Sequence, residues 1–416
     1  MSVKKKFLKL LQSKRTPARI KKKNKKDGIL HFCSFTALII SLGCPICILL
    51  SILVNSYSAL TVTKVLLPIE VDNSFFVTDN PLYSRTKHIS LLDNSLHKIF
   101  EGTDFKSSDE ILSRKSYKEL EKFLYKKRKH HGKYEVWLTA SSVINAVNKD
   151  KYKNDHYTRL LDWLKEKGRV KKFFNKSLFF ESDSREPENA GILGALIGSL
   201  MTIIVCLALA LPIGIMSGIY LHEFMLKNKL ITNIVEISIN NLAAVPSIIF
   251  GVVGLTLYLG IFGLPRSSPL AGGMTLSFMM LPNIIITTKN AFSNVPIAIK
   301  DAAFALGAPH IKVILDHSLP IALPRIVHGT VLAIARILGE SSPLLMIGMV
   351  AFIADTPKSF FDPATVLPVQ IYIWSSSPEI AFTELAAIAI IALLLMLFAL
   401  NLIANFVKRK FEFFNF

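Results

Sequence analysis

The sequence predicts an all-α polytopic membrane protein with six transmembrane helices and a small, mostly helical soluble insertion after the first helix. Three observations predict it. Hydrophobic residues make up 51% of the 416 residues. Six apolar runs, at about 30–54, 192–221, 235–262, 270–288, 327–353 and 381–406, suit the roughly 20 residues a helix needs to cross a bilayer. Residues 61–190, between the first two runs, are charged, mixed in sign and hold no run of that length.

The formal charge of +19 invites a nucleic-acid reading, but its placement opposes one. Residues 1–26 carry twelve Lys or Arg and no acid, directly before an apolar run. Such a block keeps its side of the membrane cytoplasmic and is drawn to anionic lipid. Apart from Phe7 no aromatic is interleaved for stacking on bases. Residues 1–29 are therefore expected to be a basic cytoplasmic N-terminus, with membrane lipid and no nucleic acid as partner. The run that follows lacks a small-x-small cleavage site and exceeds a signal peptide's apolar core of about 7–15 residues. It reads as a retained first helix within 30–60.

With the N-terminus inside, residues 61–190 lie outside, as a periplasmic insertion. Apolar residues recur at helical spacing around Ile111, Leu112, Leu120, Phe123 and Leu124. They recur again around Trp137, Val143 and Val147, and around Leu160, Leu161 and Leu164. Glu181 to Glu188 reads as a polar linker back into the membrane. The inner segments then hold Lys227, Lys229, Lys289, Lys300, Lys312 and Arg325, whereas the outer segments 263–269 and 354–380 hold only Arg266 and Lys358. This agrees with positive-inside orientation, from which long translocated domains are exempt. The expected location is a bacterial inner membrane, with both termini, including residues 408–416, cytoplasmic.

Enzyme chemistry finds little support. There is no zinc-ligand set, nucleophile elbow or His-Glu-x-x-His. There is no P-loop, so ATP hydrolysis has to come from another chain. Cys33, Cys44, Cys47 and Cys206 all sit in apolar runs, which argues against a disulfide framework. Cys44 and Cys47 have redox-motif spacing, but hydrocarbon surroundings raise a thiol's pKa and leave it inert.

The inner segment 289–326 is long and patterned. Asp301-Ala302-Ala303 is followed by Gly307 and, after a gap, by Leu319-Pro320. These residues resemble the cytoplasmic coupling loop of binding-protein-dependent ABC importer permeases. Asp301 stands where that family usually has Glu, and His317 where it usually has Ile. A helix stopped by Gly can turn sharply, since Gly takes positive φ without a Cβ penalty. Small Ala302 and Ala303 allow close approach. The resemblance implies that Asp301, Ala302, Ala303, Gly307, Leu319 and Pro320 dock on an ATPase partner. It assigns 191–407 to a transmembrane domain of the ABC importer permease type.

Two further stretches narrow the family. Asn241 through Val245-Pro246-Ser247 to Phe250-Gly251 resembles a signature of phosphate importer permeases. So does Arg336-Ile-Leu-Gly339-Glu340-Ser341-Ser342-Pro343-Leu-Leu, with Ser341 in place of Thr and Ser342 in place of Ala. Asn283 and Thr287-Thr288 follow a Leu-Pro, again as in that group. The resemblance covers about 190–407 and is strongest to PstA-type phosphate permeases, some of which carry an extended region after the first helix. It implies alternating-access import of inorganic phosphate. The implied partners are a second permease subunit (PstC-like), an ATP-binding dimer (PstB-like) that holds the ATP and Mg, and a periplasmic phosphate-binding protein (PstS-like). No cofactor is expected on this chain.

A mid-span Arg336 demands a partner or water, and Arg meets phosphate oxygens two at a time. Glu340, one turn on, is placed to pair with it. Arg336, Glu340, Ser341, Asn241, Ser247 and Asn283 are the expected substrate-path residues. A role for Arg336 and Glu340 in helix packing alone stays open. So do a permease for sulfate, molybdate or phosphonate, and a membrane-anchored sensor using 61–190.

Overall fold

The computed structural model describes residues 17–71, 81–101, 111–126, 132–225, 229–350 and 352–412. Most of the basic block, residues 1–16, lies outside them. The chain divides into two compact units, Met1–Val54 and Asn55–Phe416. Helix α1 (Pro17–Ala59) starts earlier than its apolar run and takes up part of the basic segment. Its stretch Gly28–Ala59 is long and apolar enough to cross a membrane. Phe32, Phe35, Leu38 and Ile39 are exposed along it, as a lipid-facing helix requires.

The insertion contains a sheet that its helical periodicity does not predict. Its strands are β1 (Thr61–Val71), β2 (Gly132–Thr139) and β3 (Val170–Phe174), antiparallel in the order β2-β1-β3. Around it lie α2 (Pro81–Phe100), α3 (Ser116–Lys126), α4 (Ser142–Asn148), α5 (Asp155–Glu166) and α6 (Ser177–Phe180). Val65, Leu67, Ile69 and Val71 alternate into the core, the period-two pattern of a strand with one buried face. Pro68 sits in the central strand without harm. β3 ends its pairing at Val65↔Val170, so Pro68 has β2 on one side and no strand on the other. Trp137, expected on a helix, lies on β2; the helix in that region begins only at Ser142, capped by Ser141. The stretches at 120–124 and 160–164 are helical as expected, and α5 is capped by Asn154.

The remaining spans form a bundle. α7 (Leu193–Glu223) runs from the insertion to the far end. α8 (Lys229–Ala243) and α9 (Ser247–Gly254, continued by a π-helical segment to Ile261) are bent by 93° about Ala244–Pro246. Pro246 has no N–H to continue the first helix. α10 (Pro269–Ser293) begins with Ser268 as cap and Pro at its first turn. α11 (Ile297–Ala305) leads to a continuous helical stretch from His310 that ends as α12 (Leu319–Leu338). Three helices follow: α13 (Ser342–Met346), α14 (Leu367–Ser375) and α15 (Ile380–Glu412). Counting the bent pair as one, the described residues hold six candidate spans.

The fifth span differs from expectation. It runs from His310 to Leu338 rather than over 327–353. Lys312, Asp316 and His317 lower the hydropathy of its first turns without breaking the helix. The helix stops at Gly339, and α13 is too short to cross a membrane.

α7 and α10 lie side by side at close range, because Gly214 and Gly218 on α7 face Ile284 and Thr288 of α10. Small residues one turn apart allow such approach, and dispersion then holds helices that gain no hydrophobic driving force in lipid.

The insertion is seated on the bundle through buried contacts. Ala59, Leu178, Ala190, Ile192, Trp374, Phe382 and Leu385 form one apolar cluster there. Glu384 of α15 is buried and accepts from Lys149 at 2.9 Å, Lys151 at 3.0 Å and Ser58 at 2.9 Å. Burial holds the Lys149 ammonium below its usual pKa despite this partner. Removing one member of such a cluster leaves a buried charge unpaired and costs about 3–5 kcal/mol. Trp374 donates to Asp183 at 3.1 Å.

In the same seat burial raises Glu188 from 4.5 to about 7, helped by the negative charge of Glu186 and Glu379 and opposed by hydrogen bonding. One of its carboxylate oxygens, Oε2, has no hydrogen-bond partner. Between the unfolded and folded values the native state binds the extra proton, so stability from this site falls as pH rises from about 4.5 to 7. Glu188→Gln is therefore expected to narrow the difference in thermal unfolding midpoint between pH 5 and pH 8. An unchanged difference would show that another group sets it.

Candidate functional site

Two regions carry the residues singled out by the sequence, and they lie at different places on the bundle. At the far end, α11 presents Asp301 and Ala302 outward, while Ala303 is buried against its neighbours. Leu306 is 89% exposed. Gly307 has φ of +80°, the left-handed region that the turn was expected to need. Backbone bonds from Gly307 N to Phe304 O (2.9 Å) and from Ala308 N to Ala303 O (3.1 Å) close the helix there. His310 stacks on Phe304 with centroids 5.7 Å apart and meets Phe224 edge-on at 5.2 Å. Leu319 and Pro320 are half-buried at the start of α12. The result is a short helix with an apolar, charge-edged outer face, held on the bundle's end by its inner face.

Glu223 and Glu236 are both paired. Lys300 of α11 donates to Glu223 at 2.6 Å, and His222 Nδ1 lies 3.1 Å from the same oxygen. Lys289 of α10 pairs with Glu236 of α8 at 2.5 Å. The sequence signal for the first is weak: a Lys beside Asp301 and an acid ending an apolar run, far apart in the chain. The Glu223–Lys300 pair joins the short helix to α7, which is itself packed tightly on α10. Glu223→Lys and Lys300→Glu are each expected to lower substrate uptake per ATP hydrolysed several-fold. The double swap is expected to recover most of it. A double variant no better than either single would remove the ion pair from any coupling role.

The second region is formed by two broken helices. The break at Ala244–Pro246 separates α8 from α9, and that at Gly339–Ser341 separates α12 from α13. The helices that follow the breaks pack together. A Cβ at Gly251 would lie 2.7 Å from Pro343 Cα, so only Gly permits this contact. Asn241 is exposed near the end of α8, and Ser247 is half-buried at the start of α9. Glu340 and Ser341 are half-buried within the second break. Asn283 is half-buried in mid-α10, beside the buried Pro282. Arg336 is exposed in the last turn of α12. Ile337 and Leu338 line a small cavity with Ser199 and Thr202 of α7.

The expected Arg336–Glu340 ion pair is not formed. The helix ends at Leu338, so Glu340 is not on the same helical face one turn later. Among the described residues no side-chain hydrogen bond or ion pair joins any two of Arg336, Glu340, Ser341, Asn241, Ser247 and Asn283. What joins their elements is backbone packing at Gly251 and Pro343. Free N–H groups at the start of α9 carry the positive end of the helix dipole. With Arg336, the region offers donors, and among the described residues no side-chain hydrogen bond or ion pair is made by the guanidinium.

A polytopic bundle with one sharply bent span and a short, outward-facing helix at its end defines an integral membrane protein. A family described as "Binding-protein-dependent transport system inner membrane component" matches residues 210–413. A "Domain of unknown function (DUF3333)" matches residues 17–157. The phosphate transport system permease protein PstA of Pasteurella multocida (strain Pm70) is 32% identical, over 53% of this chain and 79% of its own. That of Yersinia pestis is 31% identical, over 56% and 79%. Among solved structures, an inward-facing MetNI methionine ABC transporter is 19% identical with a TM-score of 0.42, covering 52% of this chain and 94% of that one. The chain belongs to the family of binding-protein-dependent inner membrane transport components, as a PstA-like permease.

Proposed function

We propose that this permease is one of two transmembrane subunits of an ATP-driven importer of inorganic phosphate, working by alternating access in a bacterial inner membrane. The observation that carries the reading is the pair of broken helices packed at Gly251 and Pro343, which brings both phosphate-permease signatures together with an exposed Arg336 in the last turn of the fifth span. A charged side chain within a span is costly unless it meets water or a partner, so this side of the bundle faces water or a partner subunit. Phosphate chemistry fits it, because a guanidinium stays charged and binds two oxygens in a fork. The two relatives' names point to the same anion.

Substrate is delivered by a periplasmic binding protein (PstS-like) to the route between this chain and a second permease (PstC-like). Arg336, Glu340, Ser341, Asn241, Ser247 and Asn283 line or shape that route. A nucleotide-binding dimer (PstB-like) holds ATP and Mg and does the hydrolysis; this chain is a transport subunit with no cofactor of its own. α11, with Asp301, Ala302, Ala303 and Gly307, docks on the ATPase and is backed by Leu319 and Pro320. Both termini are then cytoplasmic and residues 61–190 periplasmic.

The test is radiolabelled phosphate uptake in cells lacking this chain, with and without the gene restored, against excess sulfate or molybdate. Restored uptake that resists both competitors is expected. Unchanged phosphate uptake with loss of sulfate or molybdate uptake would keep the importer and overturn the anion.

A further inference from the structure

The insertion has a surface that neither the bundle nor its own core accounts for. Phe174 is 58% exposed, Phe179 38% and Phe180 76%, and the rings of Phe174 and Phe179 stack 5.8 Å apart. Three large apolar side chains together on a water-facing domain mark a contact surface. Lys172, on the same face of β3 as Phe174, and Lys176, at the start of α6, are exposed, whereas Lys171 lies over the Phe173 ring on the other face. Elsewhere among the described residues of the insertion Ile89, Tyr125 and Tyr152 are also exposed, while the core apolar side chains pack in one cluster around β1, β2 and the helices.

Local geometry fixes the height of this patch. Phe174 pairs with Thr61, two residues beyond the end of α1, and Asn175 N donates to Leu60 O at 2.8 Å. α6, which carries Phe179 and Phe180, is bonded to the approach of the second span: Ile192 N donates to Leu178 O at 2.9 Å, one residue before α7 begins. The buried face of α6, Leu178, packs with Ala190, Ile192 and Trp374 at the insertion-side ends of the spans. Its other face therefore emerges level with the place where the chain enters the membrane. Tyr57, 74% exposed in the last turn of α1, adds a further aromatic there.

We infer that Phe174, Phe179 and Phe180, with Lys172 and Lys176, form a foot by which the insertion enters the headgroup–acyl boundary of the leaflet that α7 enters first. The partner is a phospholipid surface. Rings fill the boundary layer where aromatic belts sit, and the ammonium groups meet lipid phosphates. Continuity with the spans selects lipid over a soluble protein. The foot and the Glu384 cluster hold the insertion at two points, so that it stands in a fixed attitude on the membrane rather than swinging on a tether. This gives a binding surface to a stretch that lies between the two family matches, 17–157 and 210–413, and it holds whichever anion is transported.

The test uses the full chain with its partner subunits in phosphatidylcholine–phosphatidylglycerol vesicles. The four native cysteines are replaced by Ser, and a nitroxide is attached at Phe180→Cys or, separately, Phe174→Cys. A control label at Tyr125→Cys sits among Lys118, Glu121 and Lys122 on the insertion surface. Collision with dissolved oxygen, which enriches in lipid, is compared with collision with a water-soluble nickel chelate. The oxygen-to-nickel ratio at 180 and 174 is expected to exceed that at 125 several-fold. A ratio equal to the control would place the patch in water and overturn the inference. Exclusion of both reagents would place it against protein and overturn it equally. Phosphate uptake by the labelled transporter, measured in parallel, separates this outcome from the transport reading.

Discussion

Gly307→Asp is expected to leave the chain inserted and assembled while uptake falls by roughly tenfold or more and ATP hydrolysis continues. The reason lies in the backbone. With φ at +80°, Gly307 occupies a region that costs other residues about 1–3 kcal/mol, and about 1.4 kcal/mol is a tenfold shift. No atom lies within 4 Å of where its Cβ would be, so steric clash plays no part. Asp tolerates this conformation better than most residues, but it also puts a negative charge beside Leu306 on the exposed apex of the proposed docking surface. The series separates the two effects. Gly307→Asn keeps a residue suited to positive φ without the charge and should retain most uptake. Gly307→Val opposes the turn outright and should lose at least as much as Asp. Uptake and ATPase rates of purified, reconstituted complexes decide between them. Normal coupled uptake in both Asp and Val variants would mean that the turn does not transmit the motion of the ATPase.

Gly307 also shows how far the sequence can be read. Its spacing from Asp301-Ala302-Ala303 identifies a short helix with a glycine stop, because that signal is local and a single residue type satisfies it. The spans are legible for the same reason: hydropathy is a property of contiguous residues. Where function depends on where a helix breaks, contiguity misleads. Residues 339–353 are apolar enough to continue a span, yet Gly339 ends α12 and α13 turns aside. Lys312, Asp316 and His317 hide the true start of that span, although helical hydrogen bonding runs through them. The sheet of the insertion is legible in part. Val65, Leu67, Ile69 and Val71 alternate strictly, but Pro68 argues against a central strand until the short reach of β3 is known. Glu384 and Glu223 are visible as lone acids near the ends of apolar runs. Their partners Lys149 and Lys300 are 235 and 77 residues away in the chain, and no pattern within either segment points to the other. Pairings of that kind are decided by how the whole bundle closes.

Arg336→Ala is the substitution with the largest expected effect on substrate handling: uptake lost, assembly retained. The structure sharpens the choice between a transport role and a packing role. A packing role through Glu340 would require the two residues on one helical face, and the end of α12 at Leu338 removes that arrangement. Arg336 is exposed in this chain, so truncating it strips no buried contact. What it gives up internally is a favourable charge in the last turn of α12, worth about 0.3–1 kcal/mol, too little to unfold a span. The bundle should therefore form and co-purify with its partners at normal yield. At the substrate, losing the only fixed cation among the six route residues removes a charge-assisted, two-point contact with an oxyanion. Arg336→Lys keeps the charge and loses the fork, so it should retain weak uptake with reduced apparent affinity. Glu340→Gln should preserve assembly and shift substrate affinity by less than Arg336→Ala does. Co-purification and uptake, measured on the same preparations, tell the two roles apart. Loss of the assembled complex on Arg336→Ala would locate the guanidinium's partner in the second permease subunit. Normal uptake in an assembled complex would take Arg336 off the anion's path altogether.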